Sequence, residues 1–106
     1  MPRIRRTDRM TNQPPNHKLR LYVAGEAQNS LEALANLREI CDKYLGSACD
    51  IEVVDVFLQP ERAMRDGIFM TPTLVKLFPG ATRTVIGTLS HTETVLQALE
   101  LPTQRP

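Results

Sequence analysis

Leu21-Tyr22-Val23-Ala24-Gly25-Glu26-Ala27-Gln28-Asn29-Ser30 is the stretch on which the fold turns. With Lys18, Leu19 and Arg20 before it, the run alternates: Leu19, Leu21 and Val23 take one face, Arg20 and Tyr22 the other. That period of two predicts a strand over 18–24, stopped by Gly25. Asn29 or Ser30 can cap a following helix, and Glu32 lies three residues after Asn29, the spacing of a capping box. No cysteine lies between strand and helix, so the turn lacks a thiolate nucleophile.

Working outward, Leu34, Leu37, Cys41, Tyr44 and Leu45 recur at steps of three and four, which predicts one apolar stripe on a helix that Gly46 ends. Ile51–Phe57 is a β-branched run with little alternation, as in a central strand covered on both faces and parallel to the first. Pro60 suits a first helical turn, and Glu61–Asp66 can continue it to Gly67. Thr73–Phe78 and Arg83–Thr88 flank Pro79-Gly80-Ala81-Thr82, a turn whose glycine can take positive φ, and predict an antiparallel pair. Ser90 and Glu93 repeat the capping-box spacing before Val95, Leu96 and Leu99, and Pro102 ends this last helix. The expected fold class is α/β, a single βαβ-αββα domain.

At 106 residues and 42% hydrophobic content, the chain can enclose one modest core. The expected organisation is a basic disordered arm over 1–17, a domain over 18–101 and a short tail over 102–106. Arg3, Arg5, Arg6 and Arg9 against Asp8 leave the arm at +3, so the nine basic and eleven acidic side chains from Lys18 onward total −2. That balance argues against a nucleic-acid surface on the domain, and the arm has no aromatic to stack a base. No apolar run is long enough to span a bilayer or to form a secretory signal, so a cytoplasmic protein is expected.

Individual residues with chemical potential read plainly. Cys41 and Cys49 have no second pair and no histidine cluster, which points to small buried or half-buried thiols in a reducing compartment rather than a metal site or a disulfide framework. Asp55 ends a strand without a pairing carboxylate, histidine or nucleophile, so a capping or turn role is expected. His17 and His91 are solitary and read as surface residues, and Tyr22 and Tyr44 as covers of the core edge. No catalytic residue, cofactor or metal is expected.

The element order is thioredoxin-like, and the residues narrow it further. Leu21-Tyr22-Val23-Ala24-Gly25, Asn29-Ser30, Val54-Asp55-Val56, Pro60, Thr71-Pro72-Thr73-Leu74 with Lys76, and Ile86-Gly87-Thr88-Leu89-Ser90 resemble the circadian-clock KaiB family in one ungapped register over about 18–101. The resemblance implies a non-enzymatic regulator of KaiC, a hexameric ATPase, in circadian timing or stress adaptation. It also implies two folds: a ground state of βαββααβ order, dimeric or tetrameric, rebuilt from about Leu58 onward, and a thioredoxin-like monomer that docks on the ATPase. A partner that binds one form draws the equilibrium toward it.

By the same resemblance, Gln59, Arg62, Arg65, Asp66, Lys76 and Arg83 are candidate partner-binding residues. Solvated charge on a short helix and edge-strand protection are their plain alternatives. Pro72, Pro79, Gly80 and Ala98 are candidate fold-switch positions. Pro72 matches a proline that is cis in thioredoxins, although a strand entrance explains Thr-Pro as simply. Family relatives carry three prolines where Pro79-Gly80-Ala81 stands and glycine where Ala98 stands. Both changes favour the thioredoxin-like form, because alanine exceeds glycine inside a helix by roughly 0.8–1 kcal/mol. Glu32 in place of a basic residue, Thr88 in place of an aspartate and the lack of an acidic tail weaken any link to KaiA. A thioredoxin-like redox protein or peroxide sensor using Cys41 or Cys49, or a sensor module acting on a histidine kinase, is the alternative function.

Overall fold

The computed structural model describes residues 17–46 and 49–101; the arm up to Asn16 and the tail after Leu101 lie outside them. The alternating run becomes β1 (His17–Val23), followed by α1 (Gln28–Ile40), a π-helical turn (Cys41–Leu45) and β2 (Cys49–Asp55). Then come α2 (Pro60–Arg65), β3 (Thr73–Phe78), β4 (Arg83–Ile86) and α3 (Thr92–Ala98). The predicted βαβ-αββα order is what the structure shows.

One four-stranded sheet has the order β2-β1-β3-β4. β2 runs parallel to β1, while β3 is antiparallel to both β1 and β4. The expectation of a central β2 is therefore corrected: β1 and β3 are interior, and β2 is an edge. Of the run Ile51–Asp55 only Val54 is fully buried, and Val53 is 42% exposed. Its β-branched residues suit the extended backbone, a preference that reads in sequence like double-sided burial.

Side chains leave the sheet to two cores. Leu19, Leu21, Val23 and Leu74 meet Ala33, Leu37 and Ile40 of α1 and Val95, Leu96 and Leu99 at α3 on one face. On the other, Tyr22, Val54 and Val75 meet Ala63 of α2. Tyr22, expected at the core edge, is fully buried in this smaller cluster, whereas Tyr44 packs half-buried against the larger one.

Neither predicted side-chain cap forms. Ala27 and His91 occupy the N-cap positions of α1 and α3 without a side-chain bond. Ser30 sits inside the first turn, buried, where its Oγ accepts the Ala24 N–H at 3.1 Å. Tying the end of β1 to α1 satisfies a backbone donor that solvent would reach poorly. Gly46 (φ 60) does end the helical segment, and Gly80 (φ 77) turns β3 into β4. Cys41 and Cys49, expected as separate thiols, are joined in a disulfide with Cα atoms 6.2 Å apart. That separation falls within the range a bridge spans, and no one-dimensional spacing rule reports it.

Candidate functional site

The loop from β1 to α1 is where a thioredoxin-like scaffold would act, and here it is built from structural hydrogen bonds. Gly25 turns with φ 57, and its N–H reaches Asp55 Oδ1 at 3.2 Å. The same oxygen accepts the Phe57 N–H at 2.9 Å. Asp55 thus ties together the loops leaving β1 and β2, as its capping or turn reading required. Beside them, the Thr71–Pro72 peptide is cis and leads into β3. The Pro72 carbonyl accepts the Gly87 N–H at 2.9 Å, and Thr73 Oγ1 donates to Met70 O at 2.6 Å.

Between these loops and α2 opens an apolar groove of about 250 Å³, lined by Ala24, Val56, Phe57, Ala63, Ile68, Phe69, Met70 and Thr71. Of its lining, Phe57 at 72%, Phe69 at 94% and Met70 are exposed, and beside it Met64 of α2 at 80% and Leu58 just before α2 are exposed as well. Scattered apolar residues need no explanation, but several around one short helix mark a contact surface.

A polar network holds α2 over the sheet. Arg20 of β1 donates from Nε to Glu52 Oε1 at 2.8 Å and from Nη1 to Asp66 Oδ2 at 3.2 Å. Arg62 donates from Nη1 to Glu52 Oε2 at 2.8 Å and to Gln59 Oε1 at 3.3 Å. The Tyr22 hydroxyl donates to Asp66 Oδ2. Hydrogen bonds from Arg62 and then Arg20 hold the Glu52 carboxyl at about 2, below its ordinary 4.5. Burial, then the bond to Asp66, pushes the Tyr22 phenol up, which keeps it a donor.

The residues singled out from sequence divide. Gln59, Arg62, Arg65 and Asp66 gather at α2, but Arg62 and Asp66 are engaged inward, leaving Arg65 exposed. Lys76 and Arg83 are register partners on the opposite face of the sheet, the α1 and α3 side. Lys76 is 2% exposed on an interior strand, with Nζ donating to Pro79 O at 2.7 Å. It therefore offers no surface charge and protects no edge, which corrects both readings of it. Arg83, on edge strand β4, pairs with Glu100 at 2.9 Å. Pro79 follows a second cis peptide, after Phe78, and Ala98 closes α3 rather than lying in its interior.

Sequence reasoning missed Arg20, Tyr22 and Glu52 as supports of α2, and the apolar rim. Phe57-Leu58 and Phe69-Met70 are apolar pairs beside turn residues with no helical or strand period to bury them, and that was the available signal.

Comparison with known proteins agrees with this architecture. The KaiB domain family model matches residues 20–101. Circadian clock protein KaiB3 of Synechocystis sp. is 42% identical over 83 residues, covering 78% of this chain and 81% of that protein. The circadian clock oscillator protein KaiB of Prochlorococcus marinus is 46% identical, with 78% and 79% covered. Among solved structures, the N-terminal domain of Synechococcus elongatus SasA superposes with a TM-score of 0.68 at 21% identity, covering 80% of this chain and 81% of that one. Mitochondrial thioredoxin 3 of Saccharomyces cerevisiae gives 0.64 at 14% identity, with 81% and 78% covered. Those two likenesses establish a thioredoxin-like fold, and the family model with the sequence relatives establishes that the chain belongs to the KaiB family.

Proposed function

We propose that the chain is a non-enzymatic regulator that docks on a KaiC-type hexameric ATPase through α2 and the loops beside it. The observation that carries this reading is the exposed apolar rim around α2, in a KaiB-family chain whose β1–α1 loop has no thiol. Arg65, Gln59 and Glu61 supply polar contacts at the edge of that rim, while Phe57, Met64 and Phe69 supply the apolar area on which affinity chiefly rests. Arg62 and Asp66 act indirectly, by holding α2 in place. Arg83 lies on the other sheet face and serves at most a separate contact.

The same reading includes a second packing of the chain after about Leu58, in βαββααβ order, with Pro72, Pro79, Gly80 and Ala98 in the rebuilt half. Docking of the thioredoxin-like form would then draw the population toward it, at an apparent affinity lowered by the competent fraction. Size-exclusion chromatography of the full chain with a purified KaiC-type hexamer, with and without ATP, tests the proposal. Slow, nucleotide-dependent co-elution is expected, and Arg65→Glu and Phe69→Ser should each weaken it roughly tenfold or more. Failure to co-elute under any nucleotide condition would overturn it.

A further inference from the structure

We propose that Cys41 and Cys49 form a redox modification site, closed to a disulfide by a hydroperoxide and reopened by a dithiol reductant. Placement makes the two sulfurs a reacting pair. Cys41 opens the π-helical turn and is 4% exposed within the larger core, while Cys49 is half-buried at the first residue of edge strand β2. With the bridge closed their Cα atoms stand 6.2 Å apart, a separation a disulfide spans, and the two cysteines are eight positions apart in sequence.

The exposure difference assigns the roles. Cys49, reached more easily, attacks as the thiolate: its sulfur bonds to one peroxide oxygen, the O–O bond breaks, and the departing oxygen leaves as water or alcohol after taking up a proton. Cys41 then attacks the Cys49 sulfenic acid; the S–S bond forms, the S–O bond breaks, and hydroxide leaves with the Cys41 proton as water. Two thiols lose two electrons to one peroxide. Reopening by a dithiol proceeds through a mixed disulfide and returns both thiols.

The closed form ties the end of the α1 segment to the start of β2, at the end of the sheet away from the groove. Seven residues of β2 at about 3.3 Å each put roughly 20 Å between Cys49 and the loop after Asp55. The pair is therefore independent of the docking reading, and its effect is on the stability of the α1–β2 connection.

The experiment uses the full chain, reduced with dithiothreitol, desalted and treated with one equivalent of hydrogen peroxide. Expected results are a mass lower by two hydrogens, loss of both alkylatable thiols, a Cys41–Cys49 linked peptide, and a Tm higher by roughly 5–15 °C that dithiothreitol reverses. Cys41→Ser should stop at a sulfenic acid on Cys49 that dimedone traps. Thiols that stay alkylatable after peroxide, a bridge between chains in place of one within the chain, or oxidation to sulfinic acid without a bridge would each overturn the proposal.

Discussion

Glu52 is the residue on which α2 pivots, because each of its carboxylate oxygens takes one guanidinium, from Arg20 of β1 and Arg62 of α2. Its folded pKa of about 2 lies below the ordinary 4.5, so the stability it lends is fully present above pH 4.5 and is lost as pH falls toward 2. Urea midpoints measured across that window should fall for the native chain. In Glu52→Gln the same window should be flatter, and an unchanged slope would show that the network contributes nothing. Because the side chain is 46% exposed, solvent screens the pair, and the slope rather than its size is the test. Gly25 makes a second prediction at this scale. It turns at φ 57, and an added Cβ would stand 3.4 Å from the Phe57 ring. Gly25→Ala should therefore cost about 1–2 kcal/mol in urea unfolding, chiefly from the left-handed backbone.

α2 is six residues long and buries only Ala63, too little for a helix to persist without tertiary support. Its hold is the polar network together with Pro60 at its first turn, so the contact surface it carries is only as ordered as those bonds. In Glu52→Gln, amide exchange should accelerate over Pro60–Arg65 while β1 and β3 keep their protection. α3 bears on the second packing. Ala98 is its last residue, where glycine is less harmful than in a helix interior, so Ala98→Gly should cost about 0.5 kcal/mol. Backbone chemical shifts over Val95–Ala98 check the element itself: helical values are expected for the thioredoxin-like form, and strand values would mean that the other packing dominates in solution.

At the scale of the molecule, one sheet divides two unequal cores, and the larger one holds most of the buried side chains. Leu21 and Leu74 are fully buried there on adjacent interior strands. Leu21→Ala should cost about 2–5 kcal/mol by loss of burial and the cavity left behind. Val53 is its register partner on β2, yet 42% exposed, and Val53→Ala should cost under about 1 kcal/mol. Equal losses at the two positions, read from denaturant midpoints, would contradict an edge position for β2.

The amino-acid sequence alone determined the order of elements, most of their ends and the family, since period-two and period-three-to-four patterns, Gly46, Pro60 and the Pro79-Gly80 turn act locally along the chain. It also determined that the β1–α1 loop holds no thiol and that Asp55 serves a turn. Tertiary structure decided what depends on neighbours distant in sequence. It made β2 an edge, buried Lys76 under the Pro79 carbonyl, brought Cys41 to Cys49, and turned Arg62 and Asp66 inward onto Arg20, Tyr22 and Glu52. Burial and pairing are properties of what packs against a side chain, and a linear pattern records only which side chains could be packed.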